Sequence, residues 1–328
     1  MSKTITHAIR IHETGPASVM KLEQVELGEP GSGEVLLRQH AIGVNYIDVY
    51  FRSGIYKQPM PGAIGMEGAG VIEKIGPDVT HFKVGDRVAY AGGPTGSYSE
   101  ARIMPAKVLV HLPEQISFEQ GAAMMLQGMT VQYLIKDVYA IKKGDTVLFH
   151  AAAGGVGLIA SQWIKALGGH MIGTVGTPEK AKLAQSLGCE HTILYTQEDF
   201  VARVKEITNG AGVVAAYDSV GKDTFMKSMD CLAPRGMLVT YGASSGALEP
   251  LDLSILGGKG SLRVCRPTIA TYVQDRKLLE PMANDLFQMV VSGQIKLQIN
   301  HKYSLKDAAQ AHIDLEGRKT TGSSILLP

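Results

Sequence analysis

The alternation of apolar and polar positions changes character along the chain. Over the first hundred residues the apolar runs are short, β-prone and separated by glycine-containing turns. This predicts strands at residues 8–11, 21–26, 34–42, 69–75, 87–91, 98–103 and 108–111, with turns at Pro30-Gly31-Ser32-Gly33, Gly76-Pro77 and Gly92-Gly93-Pro94. Short strands at such spacing predict a compact β barrel or sandwich. At Ser117-Phe118-Glu119-Gln120 the pattern turns helical, with Ser at the N-cap and Gln three residues on in capping-box form. Strands then alternate with helices: strands at 146–150, 170–175, 192–195, 213–217 and 237–241, with helices at 158–167, from Pro178, at 199–208 and around 224–232. A sixth, edge strand is expected at 261–264. That alternation predicts a parallel, doubly wound sheet, so the fold class is α/β with a β-rich domain beside it. Pro267 marks the exit from the sheet. A helix at 275–291, a strand, a short helix and the apolar end at 323–327 no longer alternate and are expected to return to the first domain. The expected division is 1–124, 125–267 and 268–328.

The candidate chemistry is concentrated in one strand, turn and helix. Thr146-Val147-Leu148-Phe149-His150 runs into Ala151-Ala152-Ala153-Gly154-Gly155-Val156-Gly157 and then into a helix. A helix that starts where a buried strand ends aims its unpaired N–H groups and its positive dipole end at one spot, where a pyrophosphate fits. Gly154 and Gly155 remove the Cβ atoms that would keep it away, and Gly157 lets the helix pack closely. Ala152 holds the first position of the G-x-G-x-x-G pattern, a departure from its strict form. The next strand ends in Gly176-Thr177-Pro178-Glu179-Lys180 without a carboxylate at its tip. A hydroxyl, a helix start and a lysine suit a 2′-phosphate better than a bare ribose, which points to NADPH rather than NADH. Glu179, second in the new helix, is assigned to the dipole. His150, which closes the first strand, is expected to be hydrogen-bonded rather than catalytic.

Composition narrows the setting. The chain has 328 residues, 45% hydrophobic, with a formal net charge of +1, so it can bury a large core and charge suggests neither polyanion binding nor an acidic substrate. Cys189, Cys231 and Cys265 are widely spaced and form no C-x-x-C, which argues against a disulfide framework or a zinc site and fits a reducing compartment. The N-terminus lacks the apolar core of a signal peptide and no apolar run is long enough to span a bilayer, so a soluble cytoplasmic protein without a membrane partner is expected.

The 151–157 turn, Gly43-Val44-Asn45-Tyr46-Ile47-Asp48 with Arg52, Gly54 and Tyr56, Tyr217-Asp218-Ser219-Val220-Gly221 and Thr321-Gly322-Ser323-Ser324 together resemble the zinc-free, zeta-crystallin-like NADPH:quinone oxidoreductases of the medium-chain dehydrogenase/reductase superfamily. The resemblance runs from about residue 8 to 328. It implies a GroES-like catalytic domain built from both ends of the chain, a Rossmann domain, an active site in the cleft between them, and a homodimer joined through the edge of the Rossmann sheet. Zinc-dependent relatives hold their metal with a Cys and a His-Glu pair. Asn45 and Met66 occupy the places of that Cys and His, with Glu67 remaining, and neither side chain is a credible zinc ligand there. A metal-free mechanism is expected: hydride passes from the nicotinamide C4 to a quinone.

By resemblance Asn45, Tyr50 and Tyr56 face the nicotinamide and substrate, with Asn45 or Tyr56 able to polarise a carbonyl. For each, a structural role in turn closure or barrel packing is an equal reading, and Asp48 with Arg52 reads as a helical i,i+4 pair. The same resemblance implies Lys180, Tyr195 and Arg318 around the 2′-phosphate and adenosine. Gly155, Val156, Ser219, Gly242, Ala243, Ser244, Ser245 and Pro267 then line the dinucleotide groove, and Tyr133 approaches the nicotinamide. Two alternatives stay open: a reductase of conjugated enals or enones, and a non-catalytic NADPH-binding protein with a structural or RNA-associated role. The near-neutral charge and the lack of a basic stripe with aromatics weigh against nucleic acid.

Overall fold

The computed structural model describes residues 4–328, which fall into two compact units. The first holds the residues up to Met129 together with Ile269–Val291 and Leu297–Pro328; the second holds Thr130–Thr268 and Ser292–Lys296.

In the first unit the eleven-residue strand Glu34–Val44 is the spine. It pairs antiparallel with Glu67–Ile75 along one side, and with Ala101–Pro105 and Ser323–Leu327 on the other. Arg87–Ala91, Val110–His111 and Ile299–Ser304 complete a seven-stranded sheet, and Lys21–Leu27, Thr4–Ile11 and Gly62–Ala63 form a second sheet of three. Ser324 to Leu326 pair with residues 42–44, so the last strand lies in the sheet of the first unit. One apolar core joins Ile9, Ile11, Ile42, Val44, Ile64 and Tyr98 to Leu305, Ala308, Ala311 and Leu326, so early and late segments of the chain share it.

The second unit contains one six-stranded parallel sheet. Its spatial order is His191–Leu194, His170–Val175, Thr146–Phe149, Val213–Asp218, Leu232–Thr240, Arg263–Cys265. In chain order this is 3-2-1-4-5-6, the doubly wound arrangement that binds dinucleotides where the strand order reverses. The central strands Thr146–Phe149 and Val213–Asp218 are buried along nearly their whole length, as a parallel sheet covered on both faces requires. Leu148, Ile172, Ile193, Ala216 and Leu238 pack with Phe200, Val204 and Phe225 from those helices.

Three details depart from the sequence reading. The predicted strand at 98–103 begins only at Ala101: the Gln39 amide donates to the carbonyls of Ser97 and Ser99 at 2.5 and 2.9 Å, and Ser99 makes only an isolated antiparallel bridge to Ala8. The predicted strand at 108–111 is a 3₁₀ turn, Ala106–Val108, closed by Leu109 N–H on the Ala106 carbonyl, followed by two strand residues. Helix Phe118–Tyr133 continues into a π turn, Leu134–Val138, that no periodicity announced. The capping box at Ser117 forms as expected: Gln120 N–H donates to Ser117 Oγ at 3.1 Å and Ser117 N–H to Gln120 Oε1 at 2.9 Å.

Candidate active site

The nucleotide-binding candidates gather at the C-terminal ends of the parallel strands. Helix Gly155–Ala166 begins directly after the turn that follows Thr146–Phe149, with Gly154 as an N-cap that offers no side chain. A Cβ on Gly154 would meet one atom, the Ala151 carbonyl oxygen at 3.3 Å, slightly inside ordinary contact, and nothing else within 4 Å, so the rest of the space above it is open. A Cβ on Gly157 would lie 2.6 Å from the Ala151 and Ala152 carbonyls and the Ala152 Cα, so only glycine lets the helix sit this close to the turn. Gly155 and Val156 are half-buried beside them. Ala152 holds the position where the fingerprint expects glycine, and the structure accommodates it through Gly173 on the neighbouring strand, whose Cβ would fall 2.5 Å from the Ala152 methyl. The sequence held this signal in the Ile172-Gly173-Thr174 interruption of an otherwise apolar strand.

One strand further out, Thr177 caps helix Pro178–Ser186 by accepting from Lys180 N–H at 3.3 Å. The Tyr195 hydroxyl lies against Gly176, where a Cβ would be 3.2 Å from it. Gly176 and the Tyr195 phenol therefore lie together, beside the Thr177 hydroxyl and the helix turn that carries Lys180. Glu179 is fully exposed beside it, and its carboxyl is held below the usual range by its own backbone N–H and then by the Thr177 hydroxyl, the helix-terminus role expected of it.

On the other side of the central strand, buried Asp218 ends Val213–Asp218 and folds the turn after it. Its Oδ1 accepts from Val220 N–H at 2.7 Å and Gly221 N–H at 3.0 Å, and its Oδ2 from Thr224 Oγ1 at 2.8 Å. The segment Gly242 to Ser245 lies on this turn, with Ser244 N–H on the Ser219 carbonyl at 3.1 Å and Ser245 N–H on that of Val220 at 2.8 Å. A Cβ on Gly242 would be 2.7 Å from the Ser219 carbonyl. Ser219 and the 242–245 segment thus form one surface, and Asp218, given no role of its own in the sequence analysis, folds the turn beneath it; the Asp-x-x-Gly spacing of an Asx turn was the available signal. Tyr133 is buried at the end of its helix, where burial pushes its phenol up to about 12 against the opposing effect of a hydrogen bond with the Thr130 side chain. Pro267 lies between Arg263–Cys265 and helix Ile269–Val273. His150 is buried between Thr174 Oγ1 and Ser228 Oγ, both at 2.9 Å, and burial holds its pKa below the ordinary value, in keeping with a structural histidine.

The substrate-side candidates belong to the first unit. Asn45 is the N-cap of helix Tyr46–Ser53, an element the sequence reading did not place, although Asn45 and Asp48 have capping-box spacing and Gly54 ends the helix at φ 85°. Asn45 N–H donates to Asp48 Oδ2 at 2.9 Å, its Nδ2 to Glu67 Oε2 at 2.6 Å, and its Oδ1 accepts from Gln127 Nε2 at 3.3 Å. Glu67, also bonded by Leu126 N–H at 2.8 Å, is wholly buried, and burial pushes its carboxyl up to about 8. Met66 is buried next to it in the chain. Among the described residues no group of three or more His, Cys, Asp and Glu side chains is placed to hold a metal ion. Tyr50 is buried and Tyr56 is 37% exposed; the Tyr46, Tyr50 and Tyr56 rings stack edge-to-face in sequence, with centroids 5.5 and 5.3 Å apart. The expected pairing of Asp48 with Arg52 is corrected: Asp48 accepts from Tyr98, and Arg52 pairs with Glu316 at 2.7 Å. Arg318 follows helix Ala308–Glu316 at φ 56°, in the first unit, where its charge reaches Tyr46.

The Zinc-binding dehydrogenase family model matches residues 155–277, and the Alcohol dehydrogenase GroES-like domain model matches residues 31–114. The chain is 51% identical to a quinone oxidoreductase of Pseudomonas aeruginosa over 96% of its own length and 97% of that protein. It is 44% identical to a 2-haloacrylate reductase of a Burkholderia species, over 97% and 98% of the two chains. Among solved structures, that of an Escherichia coli quinone oxidoreductase complexed with NADPH superposes with a TM-score of 0.97 at 47% identity, covering 98% of this chain and 100% of that one.

Proposed function

The chain belongs to the quinone oxidoreductases of the medium-chain dehydrogenase/reductase superfamily, with a GroES-like domain and a Rossmann domain, and from that premise we infer that it reduces quinones with NADPH. NADPH, when bound, supplies a hydride from its nicotinamide C4. The residues present fit that cofactor: a helix N-terminus without a capping side chain, with open space above Gly154, suits its pyrophosphate. The single observation that carries the choice of NADPH is the cluster at Gly176, Thr177, Lys180 and Tyr195, where strand His170–Val175 ends in donors rather than a carboxylate. We assign the groove to Gly154, Gly155, Val156, Ser219, Gly242, Ala243, Ser244, Ser245, Pro267 and Tyr133. The assignment of Arg318 to the phosphate rests on the family resemblance.

On the substrate side, Tyr50 and Tyr56 supply aromatic surface, and the accessible Tyr56 hydroxyl is the group we assign to hydrogen-bond a quinone carbonyl as charge develops on its oxygen. Support for Tyr56 over Asn45 comes from the Asn45 amide, which is already engaged by Glu67 and Gln127. Asn45 then shapes the site by capping the helix that carries Tyr50. The proton that completes each hydroquinone is taken from water.

A second reading has a specific observation behind it: the 44% identity to a 2-haloacrylate reductase favours activity on conjugated C=C bonds as well. We also propose a cytoplasmic homodimer. The three free thiols suit a reducing compartment, no helix of the described residues is long and apolar enough to cross a membrane, and edge strand Arg263–Cys265 offers a surface for a second copy. Sedimentation velocity and cell fractionation test these. The test of the activity is oxidation of NADPH against NADH by the metal-stripped protein with 1,4-benzoquinone, and in a parallel arm with 2-chloroacrylate. NADPH-selective quinone turnover is expected; turnover of the acrylate alone would replace the quinone reading with the second one.

A further inference from the structure

Helix Tyr46–Ser53 presents two kinds of residue on opposite sides. Asp48 and Arg52 lie about one turn apart, as do Tyr46 and Tyr50, and the two pairs are offset by two residues, about 200° around the axis. The Asp48 side is buried and held by a chain of polar groups. Arg52 Nη1 donates to His312 Nδ1 at 3.1 Å, His312 Nε2 lies 3.0 Å from the Tyr98 hydroxyl, and that hydroxyl donates to Asp48 Oδ2 at 3.0 Å. Beyond Arg52, the guanidinium forks onto Glu316 at 2.7 and 2.8 Å and its Nε donates to the Gly15 carbonyl at 3.1 Å. Asp48, Tyr98, His312 and Arg52 are all at most 2% exposed.

The chain runs in one direction only. Arginine has donors and no acceptor, so His312 Nδ1 must accept and the ring must carry its hydrogen on Nε2. That N–H then faces the Tyr98 oxygen and leaves the phenolic hydrogen for Asp48. Burial, and next the guanidinium, keep the imidazole neutral. Turning the helix about its axis would break the links at Asp48 and Arg52 together and leave buried donors and acceptors unpaired, which is costly.

We propose that Arg52, Tyr98 and His312 are positioning residues for quinone reduction: their chain fixes the rotation of the helix and so the aim of Tyr50, and with it the place of Tyr56, which follows the helix and is tied to Tyr50 by its N–H on the Tyr50 carbonyl at 3.0 Å and by ring contact. This rests on the reading of those two tyrosines as substrate-side residues. Side-chain tips stand roughly 5–6 Å from a helix axis, so a turn of about 10° moves them about 1 Å. A displacement of that size costs on the order of 100-fold in rate.

Three variants test the proposal with 1,4-benzoquinone at saturating NADPH, alongside NADPH affinity by fluorescence and the thermal midpoint. His312→Leu removes both ring links at similar volume, Tyr98→Phe removes one hydroxyl, and His312→Gln keeps an N–H for Tyr98 and an oxygen for Arg52. The Leu and Phe variants are expected to lose roughly 10- to 100-fold in kcat/KM for the quinone with NADPH affinity unchanged, and His312→Gln to recover most of it. Wild-type kcat/KM in Tyr98→Phe or in folded His312→Leu, whatever the midpoint, would overturn the proposal, as would a Gln variant as impaired as the Leu one. A wild-type protein that reduces no quinone overturns the functional reading itself, and that is seen before any variant is made.

Discussion

Two glycines of the 154–157 turn separate binding from packing. Gly154 sits at φ −78° and ψ 170°, a conformation open to any residue, and an added Cβ finds its nearest neighbour at 3.3 Å. Gly154→Ala should therefore fold with a thermal midpoint within a degree or two of wild type, because unfolded-state entropy and a weaker N-cap offset each other at about 0.5–1 kcal/mol apiece. Its methyl group projects into the space assigned to the pyrophosphate, so NADPH affinity should fall at least about 10-fold, which corresponds to about 1.4 kcal/mol. Gly157→Ala meets three backbone atoms at 2.6 Å, where ordinary contact begins at 3.4 Å, so helix or turn must move by about 0.8 Å. None of the three is part of a flexible side chain. Overpacking of this kind costs about 1–3 kcal/mol and should lower the midpoint by roughly 3–10 °C. Thermal unfolding by circular dichroism and NADPH fluorescence titration read the two effects separately. Wild-type NADPH affinity in Gly154→Ala would refute the placement of the pyrophosphate, and an unchanged midpoint in Gly157→Ala would refute the packing argument.

Further outcomes follow from the same structure. Lys180→Glu should erase the preference for NADPH over NADH while leaving kcat with saturating NADH nearly unchanged; a preserved preference in steady-state kinetics would remove Lys180 from the phosphate site. Tyr56→Phe should lower kcat/KM for quinones by about 10- to 100-fold with NADPH affinity intact, and an unaffected rate would exclude its hydroxyl as the carbonyl donor. Burial raises Glu67 to about 8 from an ordinary 4.5, so the folded chain binds more protons than the unfolded one in that window and stability should decline as pH rises through it. Glu67→Gln should flatten that decline in urea midpoints measured from pH 5 to 9. Burial and Arg52 lower His312 to about 3 from 6.5, so here the folded chain binds fewer protons and stability should drop as pH falls from 6.5 toward 3. His312→Gln should remove that part of the acid limb.

Local signals in the chain located the elements of the parallel-sheet half well. The strand, glycine turn and helix at 146–167, the Thr177 cap and the Ser117 capping box depend on neighbours within a few residues, and each formed where its spacing placed it. The doubly wound order followed from alternation, because parallel strands need helical crossovers and those leave a periodic trace. The substrate side was less legible. Helix Tyr46–Ser53 is short and polar on its buried side, so apolar periodicity did not announce it, although its cap residues were present in the sequence.

Local features were legible from the residues alone: where strands and helices start and stop, that a glycine turn and a helix N-terminus follow the first strand of the parallel sheet, and that a hydroxyl and a lysine follow the second. Tertiary structure decided the rest. It set Gly173 beneath Ala152, so that a fingerprint lacking its first glycine still closes. It turned Arg52 away from Asp48 one helical turn below and toward Glu316, 264 residues on, because His312 and Tyr98 fill the space between the charges. It also joined Asn45 to Glu67 and Gln127. A buried polar group takes whichever partner the packing of distant strands and helices brings within 3 Å, and no spacing along the chain encodes that choice.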